Sequence, residues 1–168
     1  MNRILAGTTT GEAIATSKRL EDKNINTSLV IVQERVTSDA EADRYTDRVV
    51  ELIQAQARRD VKETFTPGGV PTRHVSYKMS ALTKRFDPQC YDQVVREVTP
   101  RLLKIFKAAK IAADQGRPVL LQLDPEEHHL LPMTYQILWR VLMHPDLEGW
   151  GYAGHAIQLY NTDGLVTT

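Results

Sequence analysis

The stretch Pro118–Pro132, PVLLQLDPEEHHLLP, constrains the fold of this chain more than any other. Its first half is the most strand-like apolar run in the second half of the sequence. A long amphipathic segment precedes it, and a strongly apolar one, Met133–Met143, follows. A short apolar run held between two helix-length segments is the pattern of a buried strand with a crossover on either side. The expectation is therefore an interior strand over 118–124 that ends at Asp124, with acids and histidines on its exit loop.

The rest of the chain repeats that alternation. Ser28–Glu34 (SLVIVQE) is continuously apolar from Leu29 to Val32, which suits a strand covered on both faces. Ser38, with Glu41 three residues on, has the capping-box spacing and opens a helix to about Arg59. Ala42, Tyr45, Val49, Leu52, Ile53 and Gln56 recur at intervals of three and four and form its apolar side. His74–Ser80 alternates, with Val75, Tyr77 and Met79 on one side, and reads as a half-buried strand nearer a sheet edge. Asp87 and Pro88 can start a helix that runs toward Gln115 and stops at Gly116. Pro100 lies inside it and predicts a kink or two helices meeting there.

Smaller elements fill the remainder. Thr10 can cap a short helix through Leu20, Asn2–Gly7 is a candidate edge strand, and Asn161–Gly164 a turn. Met133–Met143 carries one charge, Arg140, so it requires cover on most sides, as a helix deep against the sheet or as a subunit contact. His155–Tyr160 reads as a last strand. The resulting order is β(28–34), α(38–59), β(73–80), α(88–115), β(118–124), α(132–143), β(155–160). That pattern predicts an α/β fold in a single compact domain over 1–168, with a mixed sheet of four to five strands, helices packed against it, and flexible ends at 1–10 and 164–168.

Composition narrows the function classes. Basic and acidic residues number 21 each, so bulk charge recommends neither nucleic acid nor an anionic membrane as a partner. Cys90 is the only cysteine, which excludes an internal disulfide and a multi-cysteine metal site. No run approaches the roughly 20 apolar residues of a membrane helix, and the N-terminus has no secretory pattern. The expected setting is soluble and cytoplasmic, with no membrane partner.

Four groups of side chains could carry chemistry. In the cluster after the central strand, Asp124 and Glu126 could hold a divalent metal, and Glu127, His128 or His129 could move a proton. The spacing matches no specific metal motif, and the acids could equally cap a helix that starts at Pro125. A basic stripe, Arg101, Lys104, Lys107 and Lys110, followed by Arg117, has steps of three that keep it on one slowly drifting helix face. It could meet phosphates or an anionic protein, or simply be the solvated side of the helix. The loops 66–73 (TPGGVPTR) and Gly149–Gly154 (GWGYAG) read as structural turns: no Walker lysine follows the first, and no helix is expected after the second. Trp150, Tyr152 and His155 could nonetheless stack on a planar ligand or a partner. Cys90, at a helix start, reads as a packed thiol, and no GxSxG nucleophile motif occurs.

These readings rank as follows. A protein-interaction or regulatory protein without catalysis comes first, contacting another protein or itself as a homodimer through Met133–Met143 or the aromatic loop. A metal-assisted hydrolase or nuclease built on 124–129 comes second, and a nucleic-acid binder using the stripe 101–117 third. No cofactor is expected beyond a divalent metal under the hydrolase reading, and whether the chain is an enzyme stays open at this level.

Overall fold

A computed structural model describes residues 5–33, 35–125 and 127–157. One sheet holds β1 (Ser28–Val30), β2 (His74–Tyr77), β3 (Leu120–Leu123) and β4 (Ala153–His155), side by side in chain order. Every neighbouring pair runs parallel. Parallel neighbours need a crossover, and the helices α2 (Asp39–Arg58), α3 (Tyr91–Asp114) and α4 (Leu131–Leu142) supply one between each successive pair. A further helix, α1 (Thr10–Glu21), precedes the sheet and packs on α2. The α/β class and the strand number are as expected. The sheet is wholly parallel among the described residues rather than mixed, because each connection is a helical crossover.

The central run behaves as its apolarity requires. β3 bonds β2 on one side and β4 on the other, so it is interior. Leu121 and Leu123 are buried, with Leu29, Val75 and Tyr77, in the layer shared with the helices. The alternate residues, His74, Ser76, Leu120 and Gln122, are only half-buried on the other face. Tyr77 meets Phe106 of α3 edge-on at 5.8 Å, and Phe106 meets Trp150 at 5.2 Å, which ties α3 and the segment before β4 to the sheet.

Helix starts follow their local chemistry. The Ser38 hydroxyl accepts from the Glu41 N–H, and the Glu41 carboxylate accepts from both the Thr37 N–H and its hydroxyl, so the cap spreads over two residues. α1 is capped by Thr9 instead of Thr10, with Glu12 closing a capping box. Gly116 ends α3 with φ +73°, a conformation glycine accepts without strain.

Several sequence expectations are corrected. β1 is a three-residue edge strand, with Val30 and Val32 exposed, and not a strand covered on both faces. β2 is interior and not near an edge, since β1 and β3 flank it. α3 runs through Pro100 without a break; the ring is exposed, so the carbonyl it leaves unbonded one turn back faces the solvent side. α4 is not covered on most sides: Met133, Ile137, Leu138 and Val141 are buried, but Trp139 is 62% and Met143 80% exposed. The last described strand is Ala153–His155, earlier than 155–160. Residues 5–7 form no strand; residues 2–4, the end of the proposed last strand and the 161–164 turn lie outside the described residues. Among the described residues no helix is long and apolar enough to cross a membrane.

Candidate functional site

Parallel strands place all their C-terminal ends on one rim, and in α/β sheets that rim is where ligands bind. Here the rim is formed by the residues after β1, β2, β3 and β4. The register pairs Tyr77 with Leu123, so the next residues out, Lys78 and Asp124, leave the two central strands side by side. The Asp124 N–H donates to the Tyr77 carbonyl at 3.0 Å, which carries the ladder to the last step. Lys78 keeps an extended backbone, φ −112° and ψ 126°. Alternation therefore turns its side chain away from the buried Tyr77, toward the half-buried face with Ser76. A lysine and an aspartate thus leave adjacent strand ends at the centre of the rim.

Other polar groups surround these two residues. The Lys78 N–H donates to the Tyr45 hydroxyl at 2.9 Å, and Tyr45 is buried in α2. Arg35, between β1 and α2, pairs with Glu127, between β3 and α4, across the rim. At the tip of β4, the His155 ring lies 4.8 Å from that of Tyr135, and its Nδ1 is buried without a hydrogen-bond partner among the described residues. Burial pushes the Tyr135 phenol up from its ordinary value. Below the rim, Ser28 and Ser76 share a 2.8 Å hydroxyl contact. Burial pulls the His74 imidazole down, and the Gln122 side chain opposes this.

The residues singled out from sequence divide sharply. Asp124 is at the rim, as expected of the end of the central strand. Glu127 is engaged with Arg35 and lies 3.7 Å from His129, while His128 and His129 are exposed on a single turn. Among the described residues no group of three metal-ligating side chains converges, and Glu126 lies outside them. The divalent metal site is therefore not supported, because successive residues on a short turn point apart.

The basic stripe is neutralised within the fold. Arg101 bonds Asp43 and the Leu82 carbonyl, Lys104 bonds Asp47 at 2.5 Å, Lys107 bonds Asp146, and Lys110 bonds Asp114. Arg117 donates to the Ala57 and Arg58 carbonyls at the end of α2. Arg101, Lys104 and Lys107 join α3 to α2 and to the loop after α4, while Lys110–Asp114 stays within α3. In the aromatic loop Trp150 is buried, while Tyr152 and His155 are half-buried. Trp150 is 9% exposed against Phe106, and Tyr152 lies 6.2 Å from Phe65. Gly149, Gly151 and Gly154 have the spacing of a GxGxxG fingerprint, but they lead into β4 and not into a helix N-terminus, so they form no phosphate cradle. His144 accepts from the Asp146 N–H and starts the next turn.

Lys78 and Tyr45 are the residues that sequence reasoning passed over. Lys78 was legible as the wet side of HVSYKMS. The strand-end argument that selected Asp124 applies to it equally once β2 is known to lie beside β3.

Comparison with known proteins bears on this rim. The family model described as "Proline dehydrogenase" matches residues 13–167. The chain is 30% identical over 158 residues to the bifunctional protein PutA of Escherichia coli, covering 94% of this chain and 11% of that protein. It is 30% identical over 149 residues to PutA of Rhizobium meliloti, covering 89% of this chain and again 11% of that protein. The fold superposes on proline utilization A from Bdellovibrio bacteriovorus inactivated by N-propargylglycine, with TM-score 0.83 and 22% identity over 97% of this chain and 17% of that one. A Bradyrhizobium japonicum PutA variant gives TM-score 0.76 and 26% identity over 96% of this chain and 15% of that one. The chain thus spans about a ninth of the length of its curated relatives.

Four expectations fall with these matches. A non-catalytic regulatory or protein-interaction protein is overturned, since the match is to a family of oxidising enzymes. The hydrolase and nucleic-acid readings fall with it. The expectation of no cofactor is corrected as well, because proline dehydrogenase domains bind FAD, and no metal is supported.

Proposed function

The chain belongs to the proline dehydrogenase family, and from that premise we propose that it forms part of a site that oxidises proline or a closely similar cyclic amino acid with FAD as the acceptor. The observation that carries this reading is the pairing of Lys78 and Asp124 on adjacent central strand tips. Proline is a small zwitterion: a carboxylate needs a cation, and a ring ammonium needs an acceptor. Two opposite charges side by side at the ligand-binding rim meet both requirements.

The residues at the rim fit the ring end of a flavin. The unpartnered Nδ1 of His155 offers a polar contact for a heteroatom edge. Gly154 beside it has open space where a side chain would otherwise stand, so a flat group has room. Nothing among the described residues cradles a diphosphate, so the fit concerns the ring alone. When bound, FAD supplies the two-electron acceptor for the hydride that leaves the ring carbon beside nitrogen.

The chain's own residues do the rest. Lys78 holds the carboxylate and so sets which ring carbon faces the β4 side of the rim. Asp124 takes a hydrogen bond from the ring nitrogen, whose proton departs as the cyclic imine forms. The helix layer under Tyr77 and Leu123 gives both groups a rigid base.

The test is proline-dependent reduction of an artificial electron acceptor by the protein supplied with FAD. Lys78→Met should abolish most of that rate. A flavin-loaded protein that shows no proline-dependent reduction would overturn the reading.

A further inference from the structure

Lys78 directly follows the last residue of β2, past the reach of its neighbour β1. The last β1 residue, Val30, pairs with Ser76. On the other side, the Tyr77 carbonyl is taken by the Asp124 N–H. The Lys78 N–H thus emerges where the ladder toward β1 has ended, and a strand end of this kind frays unless something else accepts from it. The acceptor is the phenol oxygen of Tyr45 at 2.9 Å.

Tyr45 is well placed for that task. It is 1% exposed, one of the largest fully buried side chains of the fold, and it stands in the first half of α2, which packs against α3. An aromatic ring held on all sides moves little. Through the 2.9 Å contact it fixes the backbone of Lys78, and the extended backbone in turn fixes the direction in which the ammonium leaves the sheet. A lysine has four rotatable side-chain bonds, so a loose root would spread its charge over several ångströms.

We propose that Tyr45 is a positioning residue for the carboxylate seat: its hydroxyl anchors the Lys78 backbone, so that the ammonium is presented to an anionic substrate group without a search over conformations. The inference rests on the reading of Lys78 as that seat. It adds a residue that touches no substrate and belongs to the helix layer.

The experiment is a double-mutant cycle on the full chain, with cyclopentanecarboxylate as probe and binding followed by calorimetry. This probe keeps the ring and the carboxylate and lacks the oxidisable nitrogen. Lys78→Met should weaken binding by about 30-fold, since it removes a charge-assisted contact. Tyr45→Phe keeps the ring, loses only the hydroxyl, and should weaken binding about 3- to 10-fold, the usual consequence of one lost hydrogen bond. In the Lys78→Met background, Tyr45→Phe should have no further effect, because its influence passes through the lysine. Thr46→Val serves as a control. Thr46 is the adjacent buried hydroxyl, bonded at 2.8 Å to the Ala42 carbonyl within α2, and its loss should leave affinity unchanged.

Hydrogen exchange of the Lys78 amide, read on the same proteins without ligand, should speed up in Tyr45→Phe and stay protected in Thr46→Val. A Tyr45→Phe protein with wild-type affinity, or one that loses the same factor with and without Lys78, overturns the positioning role while leaving the carboxylate seat intact. A wild-type protein that does not bind the probe, or a Lys78→Met protein that binds it equally well, removes the seat itself and Tyr45's role with it.

Discussion

The two ends of the sheet carry similar charges and use them in opposite ways. At the N-terminal end, Arg59 bonds Glu21 at 2.5 Å, with side chains only 4% and 12% exposed, and Arg73 donates twice to the Arg59 carbonyl. Arg59 also bonds the buried Gln56. These groups are withdrawn from water and satisfied mainly by one another. At the C-terminal end, Lys78, Asp124 and Glu127 stand at a rim that water reaches. Charge at the closed end holds α1, α2 and β2 together. Charge at the open end is kept where a ligand can arrive. The contrast separates stability from binding within one small fold, as strand-end arguments for α/β proteins lead one to expect.

The contrast can be broken most easily at the closed end. Arg59→Met takes from the part-buried Glu21 its charged partner, and Glu21→Gln leaves the Arg59 guanidinium, 4% exposed, without its carboxylate; each should cost about 3–5 kcal/mol in urea unfolding. Neither change should alter carboxylate affinity in the material that remains folded. At the open end, Lys78→Met should reverse the pattern, with about 2 kcal/mol lost from carboxylate binding and a stability change within about 0.5 kcal/mol. A Lys78→Met protein that unfolds early would show that the rim, too, is structural.

Smaller changes sharpen the same division. Ser38→Ala removes the hydroxyl cap of α2 on the rim side and should lower stability by about 1 kcal/mol, visible as an earlier urea midpoint with unchanged slope. His74 opens β2 at the closed end, and burial holds its imidazole below the ordinary 6.5. Its folded form therefore binds protons less readily than its unfolded form. The stability this confers is complete above pH 6.5 and is lost as the pH falls through the lowered folded value. A His74→Gln protein should show a flatter stability curve across that interval, and identical curves would mean that the imidazole is not desolvated in solution.

Much of this fold was legible because the signals were local. VLLQL was apolar enough to demand an interior strand, Ser38 and Glu41 announced the start of α2, and Gly116 announced the end of α3. Asp124 could be located because a carboxylate at the end of a buried strand is visible in one dimension. The errors arose where a residue's role depends on another segment. Arg101, Lys104 and Lys107 looked like a phosphate-binding stripe until Asp43, Asp47 and Asp146 were brought against them. Trp150 looked like contact surface until Phe106 covered it. Met133–Met143 looked apolar enough to need cover on most sides, yet Trp139 and Met143 are exposed.

Amino-acid order alone decided where helices and strands alternate, which side of each helix is apolar, and that Asp124 closes the central strand, because periodicity, capping and turn chemistry act over a few neighbouring residues. Only tertiary structure decided that β2 lies beside β3, and hence that Lys78 stands next to Asp124 with Tyr45 behind it. Strand order is set by how crossovers pack against the sheet, a balance of contacts between segments tens of residues apart, and no single stretch of the chain contains that information.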